Sequence, residues 1–536
     1  MSGASRQDDA SRATNPAPEL PQPLASAKTS RSRDGNVRNV RLRTSGAAIQ
    51  HRPDGTSLVV SDEPLKPYPR VITDRLAHWA QTAPDRACIA KRDAAQNGEW
   101  RRLTYSQVFA AAQNIAQALL DRQLSADRPV MILSENDLDQ YLLTLAGQHV
   151  GIPIVPLSPA YSLLSKDFGR LRHALNLVTP GLIFASDGQR FKAALDFAAA
   201  QNTSAAEFVV ATRPHATNVT SFADLASTTP TPAIDAAHTQ IDPDSVAKIL
   251  FTSGSTAMPK GVINTPRMIS SNQQMIAQIF PFLEDEPPVF VDWLPWHHTF
   301  GGNHNVGIAL YNGGTLYIDD GRPGPGMIDE TIRNLREIST TVHFNVPKGY
   351  EDILPALRAD RALRESFFRR MRFLFYAAAG LSQPVWDAYR ELALETCGER
   401  IIMATGLGST ETGPMAIQTS WETDHSGVIG IPVPGVTLKL VPRDNKLEAR
   451  VRGSNITPGY WRQPELTEKA FDEEGFYCFG DAIRFVDPND VNKGFVFDGR
   501  FSEDFKLASG TWVSVGPLRT KILAQSAPFI RDVVIA

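Results

Sequence analysis

The chain has 536 residues, of which 42% are hydrophobic and 21% charged, with a formal net charge of −4 at neutral pH. That length is too great for one hydrophobic core, so two or more lobes are expected, and the near balance of charge gives no electrostatic reason to bind nucleic acid or an anionic membrane. No run approaches the roughly 18 apolar residues of a membrane-crossing helix, and the three scattered cysteines, Cys88, Cys397 and Cys478, make neither a CxxC pair nor a disulfide framework, in keeping with a reducing cytoplasm.

Residues 1–45 are rich in serine, alanine, proline and arginine and lack hydrophobic periodicity. They bury too little apolar surface to offset their ordering entropy and are expected to form a disordered tail. Asp8, Asp9 and the prolines speak against a targeting peptide. From Thr104 the pattern becomes regular: "TYSQVFAAAQNIAQALLDRQ" places Val108, Ala112, Ile115 and Leu119 on one helical face, with Thr104 or Ser106 as N-cap. The apolar run "PVMILS", the helical "DLDQYLLTLAGQHVG" and the run "IPIVPLS" then read as strand, helix, strand, the sign of a parallel sheet covered by helices. Further strands are predicted at "GLIFAS", "FVVAT", "VFVDWLP", "GTLYID", "TVHFNV" and "FLFYAA". Past about Gly427 the segment "VTLKLVPRDNKLEARVRGSNITPGYW" alternates short strands with turn residues, which predicts an antiparallel β-lobe. The chain therefore reads as an α/β protein: a large domain over residues 46–499, with αβ lobes to about 426 and a β-lobe over about 427–499.

Between these elements lies "KILFTSGSTAMPKGV", Lys248 to Val262. A buried strand feeds a turn in which the hydroxyls of Thr252, Ser253, Ser255 and Thr256 and the backbone around Gly254 suit phosphate oxygens, with Lys260 adding positive charge. The spacing is not that of the GxxxxGK[ST] loop, so the ordinary P-loop is excluded. For this stretch alone a polar surface loop is an equal alternative.

Taken with three later elements, the stretch resembles the signature loop of the adenylate-forming superfamily. "GSTET", Gly408 to Thr412, resembles its central Thr-Glu motif. "PGYWRQPELTEKAF" with "GFYCFGD" resembles its ribose-binding segment ending at Asp481, and "FDGRFSEDFK" resembles its hinge. The resemblance implies that a carboxylate attacks the α-phosphate of ATP, pyrophosphate leaves, and a thiol then displaces AMP from the acyl-adenylate. It implies roles residue by residue. Thr252 to Thr256 and Lys260 take the departing phosphates, with Thr256 and Lys260 acting in catalysis. Gly408, Ser409 and Thr410 bind ATP, with Thr410 donating to the α-phosphate and Glu411 coordinating Mg²⁺, both of these acting in catalysis. Asp481 accepts the ribose hydroxyls, and Arg500 contacts ribose or phosphate. Ala378, Ala379 and Gly380 form the ledge for adenine. Leu407 stands where the family often has an aromatic ring on the base, a loss worth roughly 1 kcal/mol of stacking.

The segment "VDWLPWHHTFGGNHNVG" bears on the acid. Its wording, with "YPRVITDRLAHWAQTAPDR" and "FSEDFKLASGTWVSVGPLR", is similar to bacterial feruloyl-CoA synthetases. This implies activation of ferulate or a related hydroxycinnamate, with coenzyme A as acceptor. His298 would guard the acyl pocket as a catalytic gate, Trp296, Phe300, Gly302 and Met415 would line it, and Gly301 and Gly302 would give open space. His297 and His298, as strand neighbours, would face opposite ways and share no metal. A carrier-protein-directed adenylating enzyme is the alternative, or a nucleotide-binding remnant. Family members continue past the hinge into a small domain with a distal lysine; here Arg500 to Asp504 would be the hinge, residues 505–536 hold only Lys506 and Lys521, and an incomplete C-terminal domain with weak adenylation is expected.

Overall fold

The computed structural model describes residues 35–201, 206–252, 258–506, 512–513, 515–526, 530 and 533–535. The apolar runs beginning at residue 130 assemble side by side. Across the sheet the order is Thr220–Ser221, Glu207–Thr212, Leu182–Asp187, Val130–Ile132, Ile154–Pro156, Lys248–Thr252 and Lys260–Asn264. All pairs are parallel except the last, in which the two strands flanking the Ser/Gly-rich turn run antiparallel. The helix Tyr105–Asp121 starts where its sequence says: Gln107 N donates to Thr104 Oγ1 while the Gln107 side chain accepts from Thr104 N, a reciprocal cap. Val108, Ala112, Ile115 and Leu119 are buried. A smaller sheet holds Val289–Asp292, Thr315–Ile318, Ala87–Asp93 and Glu99–Thr104.

The third sheet carries the expected antiparallel β-lobe and joins it to the strands of an αβ lobe. It opens with three parallel strands, Val342–Asn345, Phe373–Tyr376 and Met403–Gly408, and continues without a break into antiparallel ones. The link is Met415–Gln418, which pairs with Met403–Gly408 on one side and Val428–Pro432 on the other. Beyond lie Phe495–Arg500, Tyr477–Phe485, Lys446–Arg452 and Thr437–Arg443, and the far edge is a hairpin from the start of the chain, Ser57–Ser61 with Ala47–His51. Asp444 and Asn445 turn between Thr437–Arg443 and Lys446–Arg452 with φ of 48° and 62°, the left-handed pair a tight two-residue hairpin requires.

The expected tail through residue 45 is corrected from residue 36 onward. Asn36–Val37 pairs with Glu399–Arg400, Arg38 Nε donates to Glu399 at 2.7 Å, and the buried Arg43 donates to Pro432 O at 3.0 Å. Arginines supply the holding force that composition could not reveal, because their partners lie hundreds of residues away. At the other end Lys446 pairs with Asp504, Asp504 Oδ1 accepts from Val515 N at 3.0 Å, and Phe505–Lys506 pairs with Trp512–Val513 ahead of the helix Val515–Ser526.

Candidate active site

Phe373–Tyr376 and Met403–Gly408 are adjacent parallel strands with Tyr376 opposite Thr405, and each releases a motif from its carboxyl end, the edge at which open α/β sheets bind ligands. The first releases Ala378, Ala379 and Gly380. All three are exposed, and a Cβ built on Gly380 would meet nothing within 4 Å, so the ledge is open to a flat ligand. The second turns back sharply. A Cβ on Gly408 would sit 1.8 Å from Pro414 O, so no other residue fits there. Ser409 N then donates to Thr412 Oγ1 at 2.9 Å, and a short turn buries Thr410, Glu411 and Thr412. Two buried asparagines hold this turn: Asn272 donates to Met415 O at 2.8 Å, and Asn455 donates to Thr412 O and Met415 O, each at 2.8 Å.

Glu411 meets residues from two other motifs. Tyr460 Oη donates to Glu411 Oε1 at 3.0 Å, Thr457 N donates to Glu411 O at 2.8 Å, and Lys260 Nζ stands 4.9 Å over the Tyr460 ring. Backbone contacts explain the meeting. Trp461 N donates to Gly261 O at 2.7 Å, Ile263 N donates to Gly459 O at 3.1 Å, and Val262 bridges Tyr460, so "PGYW" extends the edge of the strand that starts at Lys260. Burial, then the negative charge of Glu411, pushes the Tyr460 phenol above its ordinary pKa, and the same causes raise Tyr477 beside it. Both stay protonated, which keeps Tyr460 a donor to the carboxylate.

Asp481 shares a strand with Tyr477 and is 5% exposed. Burial pushes its carboxyl up to about 6, against the opposing pull of Arg500, whose Nε donates to Asp481 Oδ1 at 3.0 Å across the strand pair. Thr252 is half-buried at the end of its strand. Ser253, Gly254, Ser255 and Thr256 lie outside the described residues.

The acyl-side residues are distributed differently from the expectation. His297 and His298 stand on a turn between Val289–Asp292 and a π-helical segment, Phe300–Asn305, not on a strand. His298 is exposed yet surrounded by protein at longer range, which lowers its pKa; Phe300 N donates to its Nδ1 at 3.3 Å, so the ring proton sits on Nε2. Gly301 and Gly302 do not give open space: a Cβ on either would come within 2.5 Å and 2.2 Å of the Leu294 and Trp296 carbonyl oxygens. They let the π-helical turn pack directly on the preceding loop. Trp296 and Gly302 line a small cavity; Phe300 packs edge-on against His304 and Phe375, and Met415 is buried beneath the Thr-Glu turn.

The oxygen donors fit a hard cation in one respect. Among the described residues no group of three His, Cys, Asp or Glu converges, and Glu411 alone offers a carboxylate beside Lys260 and Tyr460. Mg²⁺ keeps water and phosphate ligands and needs only one or two carboxylates, so this arrangement suits a metal that arrives with a nucleotide. Sequence reasoning missed Tyr460, Tyr477 and the buried Lys248. The tyrosines lay inside quoted motifs, but only the docking of one motif on another gives them a partner.

The AMP-binding enzyme family matches residues 76–461. The chain is 27% identical over 304 residues to the long-chain-fatty-acid–CoA ligase of Escherichia coli O157:H7, covering 55% of this chain and 50% of that one. It is 26% identical over 298 residues to the malonate–CoA ligase of Arabidopsis thaliana, covering 52% and 46%. The chain spans about half the length of the curated relatives it matches. Among solved structures, the anthranilate CoA ligase AuaEII in complex with anthranoyl-AMP shares the fold with a TM-score of 0.71 at 19% identity, covering 88% of this chain and 84% of that one. Among the described residues no helix is long and apolar enough to cross a membrane.

Proposed function

From the premise that this chain belongs to the AMP-binding enzyme family, we propose that it activates a carboxylic acid with ATP to an acyl-adenylate and passes the acyl group to coenzyme A. The acid, on this reading, is aromatic and hydroxycinnamate-like. The observation that carries the activity is the meeting of Lys260, Glu411 and Tyr460 beside the open Ala378–Gly380 ledge.

The chemistry must bring two anions together and release a third. Lys260 sets a positive charge at the mouth of the turn, where it offsets phosphate charge as that charge builds on the leaving group. Tyr460 donates to one Glu411 oxygen and so fixes the carboxylate's orientation, leaving its other oxygen for the metal. Magnesium, when bound there with the nucleotide, neutralises charge on the phosphates. Thr410, at the head of the turn, offers a hydroxyl to the α-phosphate. Asp481, when ionised, accepts from both ribose hydroxyls, with Arg500 steadying it. His298, neutral at pH 7 with its proton on Nε2, stands at the acyl side as gate and donor. Support for an aromatic acid comes from the tilted pair of Trp296 and Tyr141 rings, 5.9 Å apart, and from the likeness of the Trp293–Gly307 wording to feruloyl-CoA synthetases.

The test is AMP release from ATP with ferulate, p-coumarate, benzoate and octanoate, each with and without coenzyme A. Turnover that requires coenzyme A and favours the two hydroxycinnamates is the expected result. Adenylate formation indifferent to coenzyme A would favour a carrier-protein partner, and preference for octanoate would remove the aromatic reading.

A further inference from the structure

Lys248 opens the strand that leads into the Ser/Gly-rich turn, and it is only 6% exposed. A buried ammonium is costly unless paired and fully hydrogen-bonded. Lys248 Nζ donates to Gly302 O at 3.0 Å and Asn303 Oδ1 at 3.1 Å, both neutral acceptors, and among the described residues it has no carboxylate partner. Burial alone draws its pKa down to about 8. An ammonium has three N–H donors, so one is left over.

The space in front of it is lined by Lys248, Gln140, Gln148, Tyr141, Trp296 and Gly302. Three more polar atoms on this wall, Gln140 Oε1, Gln148 Nε2 and Trp296 Nε1, are buried without a partner among the described residues. Their residues are 2%, 5% and 6% exposed. Buried polar groups are almost always satisfied, and four incompletely satisfied ones around one cavity signal a polar occupant. The cavity is partly open and has a volume of about 30 Å³, room for a water or two. A hydroxyl fits that space; a whole ring or an alkyl tail does not.

Resting on the adenylating reading above, we propose that Lys248 is a specificity-determining residue and that the acid carries an oxygen substituent at the end remote from its carboxylate. The strand runs from this cavity to the phosphate turn, and Lys248 precedes Thr252 by four residues, roughly 13 Å at the usual strand rise. An extended acid with its carboxylate near Thr252, the end of the strand, reaches toward Lys248 with its far end, so that only its terminal oxygen enters the cavity. A ring hydroxyl there accepts from the spare Lys248 N–H and donates to Gln140 Oε1. An unsubstituted ring or a fatty chain leaves those groups unmet.

The experiment measures binding to the full chain in the presence of AMP, by calorimetry, with 4-hydroxycinnamate and with cinnamate. The wild-type chain is expected to prefer the hydroxylated acid by at least about tenfold, as a site built to hydrogen-bond its ligand does. Lys248→Met should abolish that preference by weakening 4-hydroxycinnamate alone, with cinnamate and AMP affinities unchanged. Gln140→Met should reduce the preference in the same direction, and it decides the matter if Lys248→Met does not fold. Equal weakening of both acids in a folded Lys248→Met chain would make the lysine a prop for the π-helical turn and overturn the proposal, as would a wild-type chain that binds both acids alike. Failure to bind AMP and either acid would instead overturn the adenylating reading.

Discussion

Asp481 is the residue at which burial and ligand chemistry oppose each other most plainly. Its carboxyl is raised to about 6 by desolvation, with Glu503 adding to the rise and Arg500 opposing it. The sign follows from linkage. A carboxyl whose folded pKa lies above its unfolded value contributes stability that is present at low pH and lost as pH rises through the folded value, so ionised Asp481 costs the fold something at neutral pH. The ribose recognition proposed for it needs that ionised form. Adenosine, which has no phosphate to titrate, is therefore expected to bind several-fold more weakly as pH falls through about 6, and Asp481→Asn should bind weakly at all pH values with no such dependence. Calorimetric titrations of adenosine from pH 5 to 8 check this; a flat profile in the unaltered chain would remove Asp481 from the ribose. Glu411, Lys260 and Asp481 stand out in the sequence as candidates because each sits in a motif whose resemblance implies a role for that residue type. Tyr460 and Lys248 do not. A tyrosine in Pro-Gly-Tyr-Trp reads as core, and a lysine at a strand's first position reads as its solvated end; only packing against Glu411 in one case and the π-helical turn in the other changes those readings.

At the scale of elements, periodicity gave reliable notice of what forms locally and none of what pairs at distance. The helix Tyr105–Asp121 and the strands from Val130 to Tyr376 follow from apolar spacing, and the tight hairpin at Asp444 and Asn445 from its turn residues. The strand Asn36–Val37 and the hairpin Ala47–Ser61 were not legible in function or place, because their partners are Glu399–Arg400 and Thr437–Leu440. The Thr-Glu turn shows how one element depends on a single missing side chain. Gly408 faces Pro414 O so closely that any Cβ forces backbone apart, and rigid backbone cannot give as a side-chain tip can. Gly408→Ala should displace Thr410 and Glu411 while leaving the core strands intact. The expected outcome is a loss of nucleotide affinity of tenfold or more, equivalent to about 1.4 kcal/mol, with an unchanged far-ultraviolet circular dichroism spectrum. Retained affinity would mean that the turn is not the nucleotide's seat.

At the scale of the whole molecule, the proposed site belongs to no single sheet. Lys260 rides on the edge of the seven-stranded sheet, Glu411 leaves the parallel half of the eleven-stranded sheet, and Asp481 and Arg500 pair in its antiparallel half. The backbone bonds of Trp461 to Gly261 and Ile263 to Gly459 fasten the two sheets at the crevice itself. A nucleotide that touches all of these groups binds only when both sheets are folded and docked, so its binding energy opposes every route of unfolding that separates them. At a free concentration one hundred times its dissociation constant a ligand adds about 2.7 kcal/mol to the state it binds. Scanning calorimetry with magnesium and a non-hydrolysable ATP analogue is therefore expected to shift the principal transition upward, and to draw together any separate transitions of the two sheets seen without ligand. If one transition rises while a second stays in place, the nucleotide is held by one sheet alone, and the three-motif crevice is not the binding site.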